Sequence, residues 1–68
     1  MRYILKNRRG QKLSGFYPNA GEKSKFLAYR KNDYICYSTP EEAADHLRYI
    51  QSHNVGRSLN VEIDYHNS

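Results

Sequence analysis

A chain of 68 residues is long enough for one small domain, residues 1–68, close to the lower size limit for unaided folding. Its one cysteine, Cys36, excludes an intramolecular disulfide. The lack of a long apolar run argues against a signal peptide or a membrane span. We therefore expect a cytoplasmic protein with no membrane partner.

The net charge of +4 is divided unevenly along the chain. The first 31 residues carry nine Lys and Arg against a single acid, Glu22, whereas the remainder carries two against six. If the two halves occupy different parts of the surface, this asymmetry gives the protein a basic side and an acidic side.

The first half of the chain predicts two β-hairpins. The expected strands cover residues 1–6, 11–17, 25–29 and 34–37. Gly10 can supply the positive φ that the first turn needs. Gly15 marks an expected bulge in the second strand. In that strand we expect Leu13 and Tyr17 to share one face, opposite Phe16.

One amphipathic helix is predicted after these strands. Thr39 is the expected N-cap, with its hydroxyl accepting from the N–H of Glu42 and Glu42 reaching back to the N–H of Thr39. Pro40 suits the first helical position. We expect the helix to end near Ser52 to Asn54, with Asn54 or Gly56 in the left-handed conformation. The apolar stripe consists of Ala43, Leu47 and Ile50.

A last strand, residues 58–65, shows the clearest alternation of apolar and polar residues. The side chains expected to face the core are Leu59, Val61, Ile63 and Tyr65. Those expected to face solvent are Asn60, Glu62 and Asp64. The predicted fold class is α+β, with an antiparallel or mixed sheet of about four to five strands in the order ββββαβ. One amphipathic helix would pack on one face of this sheet.

The sequence argues against metal, cofactor and catalytic chemistry. His46 and His53 are two turns apart on the predicted helix, too far to share a metal ion, and a second cysteine is lacking. Cys36 and His46 belong to no nucleophile elbow, and no motif of paired catalytic carboxylates is present. We therefore expect no metal, no cofactor and no enzymatic activity.

The basic and aromatic residues of the first half carry the remaining functional signal. Cations neutralise phosphates, aromatic rings stack on unpaired bases, and a β-ribbon can enter a duplex groove. We expect the turn at residues 7–10 to be the strongest anion-binding point. The alternative interpretation is that these cations only keep the protein soluble. The candidate nucleic-acid-binding residues are Arg2, Lys6, Arg8, Arg9, Lys12, Lys25, Tyr29, Arg30 and Lys31.

Residues 37–43 form a recognisable pattern, an aromatic strand end followed by Ser-Thr-Pro-Glu-Glu-Ala and a helix. With the opening residues 3–7 and the turn at Gly10, this pattern resembles short α+β proteins carried by phages and prophages. It also resembles, less closely, the three-stranded-sheet-plus-helix DNA-binding domain of tyrosine integrases. The first resemblance implies host takeover or anti-defence by binding, and the second implies DNA reading by the sheet. The strand after the helix and the absence of tryptophan depart from the integrase domain.

The predicted function is that of a small, basic, non-catalytic binding module, encoded by a phage or mobile element, that acts on nucleic acid or a nucleic-acid-handling complex. The alternative is a protein-binding inhibitor or adaptor that uses an open strand edge or an acidic helix face. The residues of that helix face are Glu41, Asp45 and Arg48. The thin apolar content and the prospect of an unpaired strand edge also predict a homodimer.

Overall fold

The computed structural model describes residues 1–17 and 26–65. Its elements in chain order are β1 (Arg2–Lys6), β2 (Leu13–Tyr17), β3 (Phe26–Tyr29), α1 (Pro40–Gln51) and β4 (Asn60–Asp64). Two antiparallel pairs, β1 with β4 and β2 with β3, form two separate two-stranded sheets. The α+β class is confirmed. The order over the described residues is βββαβ, in place of the predicted ββββαβ in one sheet.

The first predicted hairpin exists only at its turn. Lys6 and Lys12 form an isolated antiparallel bridge, so they approach each other as expected. Beyond that bridge the arms separate, and β1 takes β4 as its partner. This pairing places Leu5 opposite Val61 and Tyr3 opposite Ile63, and such apolar cross-strand pairs stabilise a sheet. The predicted pairing of residues 1–6 with residues 11–17 is therefore wrong, because it assumed that strands adjacent in sequence pair with each other.

The predicted fourth strand, residues 34–37, is an extended segment with one isolated bridge. Tyr3 and Tyr37 exchange two backbone hydrogen bonds, of 2.9 and 2.7 Å, along β1. The N–H of Ile35 instead donates to the carbonyl of Leu13 in β2. Because its hydrogen bonds are divided between two strands, the segment builds a regular ladder with neither of them. It links the two sheets.

The start of α1 follows the prediction closely. The Thr39 hydroxyl accepts from the N–H of Glu42 at 3.1 Å, and Pro40 occupies the first turn. The return bond differs by one residue, since the Glu42 carboxylate accepts from the N–H of Ser38. Asn54 also adopts positive φ, as expected of a residue that ends a helix in the left-handed conformation.

Gly56 is required where the chain leaves the helix for β4. Its φ is +72°, and a Cβ there would lie 2.9 Å from side-chain atoms of Ile50 and Leu59. The buried core that these side chains help to form comprises Leu5, Leu13, Tyr37, Ala43, Ile50 and Leu59. Leu47 is only partly buried against it. The core thus joins α1 to residues from both sheets.

The bulge expected at Gly15 is present as a register shift between Leu13 and Gly15. The shift changes which side chains share a face, so Leu13 and Phe16 both pack against the core. Tyr17, expected beside Leu13, is 45% exposed. The bulge itself was predictable. The expected faces were wrong after it, because the extra residue moves every later side chain of β2 to the opposite face.

The end of β4 reverses the expected faces. Asp64, predicted to face solvent, is only 3% exposed, whereas Ile63 is 36% and Tyr65 80% exposed. The Tyr34 hydroxyl donates to Oδ2 of Asp64 at 2.9 Å. The extended segment that holds Tyr34 therefore covers the sheet face that alternation assigns to solvent. Ile63 and Tyr65, which alternation assigns to the core, are exposed instead.

Candidate nucleic-acid interface

A groove of about 460 Å³ lies between the first turn and the chain that leaves β3. The pairing of Leu13 with Tyr29 explains its position, because the residue before Leu13 and the residues after Tyr29 then lie at the same end of the β2–β3 ribbon. Four of the nine predicted nucleic-acid-binding residues therefore meet at one place. The lining residues are Gly10, Gln11, Lys12, Tyr29, Arg30 and Lys31, and we name this site the basic groove.

One wall of the basic groove is an ordered turn. Asn7 Oδ1 accepts from the backbone N–H groups of Arg9 and Gln11, both at 2.9 Å. The carbonyl of Asn7 accepts from the N–H of Gly10, whose φ is +81°. These bonds fix a turn whose exposed tip carries Arg8 and Arg9 directly beside a groove-lining residue. The turn is thus held by its own hydrogen bonds while its cations stay in solvent.

Lys12 is positioned by an aromatic ring. Its Nζ lies 4.3 Å from the ring centroid of Tyr34, an arrangement in which the ring face attracts the ammonium. Tyr34 is itself held by its hydrogen bond to Asp64, and that bond, with desolvation and the charge of Asp64, raises the pKa of Tyr34. The phenol therefore stays neutral at physiological pH, and the lysine charge remains available at the groove.

The charge of the basic groove is one-sided. Lys12, Arg30 and Lys31 are cations, and no acid in the described part of the chain lines the groove. Asp33 forms an ion pair with Arg30, with Nη1 and Oδ2 3.8 Å apart. Both side chains are more than half exposed, so solvent screens this pair and it is weak. An incoming phosphate can therefore compete for Arg30.

The other predicted binding residues divide into three groups. Lys6, through its bridge to Lys12, lies beside the basic groove together with the turn cations. Arg2 lies at the opposite end of β1, paired across the sheet with Asp64, and is separate from the groove. Lys25 lies outside the described residues. Within residues 1–17 and 26–31, the predicted binding cations thus form one concentrated site and one distant cation, Arg2.

The residues of the alternative protein-binding surface lie along the exposed side of α1. Asp45 and Arg48 form an ion pair with each other across one helical turn, and both are largely exposed. Glu41 is exposed in the first turn. Since the ion pair cancels one negative charge, the acidic character of this face is concentrated at the start of the helix.

An aromatic and histidine cluster, missed by the sequence analysis, lies on one flank of α1. The Tyr37 hydroxyl is hydrogen-bonded to Nδ1 of His46, and the His46 and Tyr49 rings stack with centroids 6.2 Å apart. Tyr49 also meets His53 edge to face at 4.9 Å, and Phe16 of β2 packs against both rings. The spacing of His46, Tyr49 and His53 at i, i+3 and i+7 was the available signal.

Burial shifts the pKa values of two side chains in this cluster, and both shifts favour the neutral form. It raises the pKa of Tyr37 to about 12 and lowers the pKa of His46. A neutral imidazole accepting from a neutral phenol makes a structural hydrogen bond between helix and core. The cluster therefore fastens α1 to the rest of the fold and presents the half-exposed ring of Tyr49 to solvent.

A second missed group surrounds Asp64. Besides the bond from Tyr34, the Cys36 thiol lies 3.9 Å from Oδ2 of the same carboxylate. A buried carboxylate needs such donors, because an unpaired buried charge is costly. The alternation of residues 34–37 carried the signal, since Tyr34 and Cys36 point to the side opposite Tyr37.

No protein-family model, curated protein or solved structure matches this chain. Within residues 1–17 and 26–65, no three His, Cys, Asp or Glu side chains are grouped so that they could hold a metal ion. No helix in the described chain is both long and apolar enough to cross a membrane.

Proposed function

We propose that this protein is a small, non-catalytic binding module that binds nucleic acid through the basic groove and the turn beside it. The supporting observation is the meeting of Lys12, Arg30 and Lys31 with Tyr29 in one groove. Cations from two separate parts of the chain are close enough to contact neighbouring phosphates, and their release of counterions drives such binding.

The resemblance of residues 37–43 to short phage and prophage proteins supports a place for this binding in host takeover or anti-defence. In that setting the ligand is nucleic acid or a complex that handles it. The tyrosine-integrase resemblance gives less support, because the described strands form two-stranded sheets and no three-stranded one.

Salt dependence of binding to a labelled oligonucleotide tests this function. The test variant carries Arg30→Gln and Lys31→Gln, which remove two groove cations at exposed positions. Its matched control carries Arg48→Gln and Arg57→Gln, which remove the same charge outside the groove lining. We expect the groove variant to bind more weakly, with a salt slope smaller by about one unit for each phosphate that the protein no longer neutralises.

The control should change affinity less and keep the wild-type slope more closely, since its cations act only through net charge. If the groove variant binds as tightly as wild type with the same salt slope, the basic groove is not the binding site.

The second candidate function is a protein-binding inhibitor or adaptor that uses the exposed face of α1. The observation in its favour is the ring of Tyr49, which is 51% exposed on the same helix as Glu41 and Asp45. Exposed aromatic residues often anchor protein interfaces. Binding anchored by this ring would depend less on salt than phosphate binding does. It would be weakened by Tyr49→Ala in a variant whose circular dichroism shows the wild-type fold.

A further inference from the structure

Three described elements of this fold have the shape to enter a duplex groove, and two of them carry acids. The β1–β4 ribbon pairs Arg2 with Asp64 and Ile4 with the exposed Glu62, and α1 also has the wrong charge. Its solvent side carries Glu41 and Asp45 against a single cation, Arg48. The major groove admits a helix only between two rows of phosphates, which repel acidic side chains. The helix is therefore unsuited to that role.

The third element, the β2–β3 ribbon, lacks the side chains for the task. Neither Leu13–Tyr17 nor Phe26–Tyr29 contains a Lys, Arg, Asn or Gln. The hydroxyl of Ser14 is buried and has no hydrogen-bond partner among the described residues. A ribbon in a major groove neutralises phosphates and reads base edges with such groups. Among the described residues the cations collect at one end of the ribbon, and none lies along its strands.

The basic groove fits a smaller ligand. Its volume of about 460 Å³ lies within the range of small-molecule pockets and suits one unpaired nucleotide better than a base-paired helix. Tyr29 supplies a partly buried aromatic ring among the three cations, and its packing against the core holds that ring in place. Aromatic rings among cations are the usual means of binding single strands, because every base has a face that can stack.

Resting on the proposed function, we infer that the ligand is single-stranded nucleic acid, with one unpaired base against Tyr29 and its flanking phosphates at Lys12, Arg30 and Lys31. The ring of Tyr34 beneath Lys12 adds to this arrangement, since it holds the ammonium at the groove wall before the ligand arrives.

The experiment compares a labelled single-stranded 12-nucleotide DNA with a hairpin duplex of equal phosphate number at the same salt concentration. We expect the single strand to bind about tenfold more tightly or better. Tyr29→Leu should weaken single-strand binding about tenfold with an unchanged salt slope, because it removes a ring and no charge. Tyr29→Phe should bind like wild type. Tyr65→Leu is the matched control, since that ring is 80% exposed near the far end of β1.

A third probe keeps the test independent of the folding of any variant. A single strand with abasic sites at every position retains the phosphates and lacks the bases, so wild-type protein should bind it about tenfold more weakly than the normal strand. Equal affinity for single strand, duplex and abasic strand would overturn the inference and leave the proposed function standing. Absence of binding to all three probes at low salt would overturn both.

Discussion

His46 makes the stability of this protein depend on pH because burial disfavours the charged form of its ring. Burial lowers its pKa below the ordinary 6.5, and its Nδ1 is bonded to the hydroxyl of Tyr37. A proton on Nδ1 removes the acceptor and places a charge where burial disfavours it. The unfolded chain therefore binds this proton more readily than the folded chain does.

The sign of the effect follows from that difference. The contribution of His46 to stability is fully present above about pH 6.5 and is lost as the pH falls through that value toward the lower pKa of the folded state. We expect urea midpoints to fall between pH 7 and pH 5.5, before most carboxylates titrate. His46→Gln should flatten this decline, because its amide can accept the same hydrogen bond and does not titrate.

His53→Gln is the matched control, since it removes the histidine just beyond the end of α1, whose described hydrogen bonds do not include Tyr37. That variant should keep the wild-type slope. Parallel pH profiles for wild type and His46→Gln would show that the bond to Tyr37 does not control the dependence.

Asp64 shows where single residues escaped prediction. Alternation along β4 assigns it to the solvent face. That assignment would have been correct if no other segment covered this face of the sheet. Its burial results from Tyr34, which lies 30 residues earlier and reaches it from another segment. A pattern local to one strand contains no information about what covers the other face, so the sequence predicted Asn60 and Glu62 correctly and Asp64 wrongly.

At the scale of elements, α1 was the most predictable because its start depends on neighbouring residues only. Thr39, Pro40 and Glu42 act within a single turn, and the structure contains the expected cap. The strand positions were largely predictable for the same reason. Their partners were not, since the choice of β4 for β1 depends on apolar pairs about 58 residues apart in the chain.

The cap of α1 gives a prediction at this scale. Thr39 is exposed, so Thr39→Ala removes a hydrogen bond without leaving a cavity. We expect the free energy of unfolding to fall by about 1 kcal/mol, equivalent to about 4–8 °C in melting temperature for a domain of this size. Thr39→Ser retains the hydroxyl and should stay close to wild type. An unchanged denaturant midpoint in Thr39→Ala would mean that the cap contributes nothing.

At the scale of the whole molecule, the two ends of β1 have different characters. Lys6 lies beside the basic groove, and Arg2 lies four residues away, about 13 Å along the strand. Close to the Arg2 end, Met1 is 82% and Tyr65 80% exposed, and Ile63 is 36% exposed. The concentration of cations in one part of the chain could be read from the sequence. The exposed apolar end could not, because alternation over residues 58–65 predicted that Ile63 and Tyr65 were buried.

This apolar end supports the expected homodimer. In the described chain β4 pairs only with β1, so its second edge has no strand partner there. A strand edge beside exposed apolar side chains favours pairing with a second copy. We expect sedimentation equilibrium at high micromolar concentration to give masses rising from 8.0 kDa toward twice that value. Ile63→Lys should keep the protein monomeric, because it places a charge within the apolar patch.

Asn60→Lys provides the matched control, since it adds the same charge to the opposite face of the same strand. It should leave self-association largely unchanged. A dimer formed at the Tyr65 end leaves both basic grooves open, so it should bind a long single strand more tightly than two short ones through the higher effective concentration of the second groove. Ile63→Lys should abolish that gain and leave the affinity for a short strand unchanged. A strictly monomeric wild type at these concentrations would exclude the dimer and any such gain.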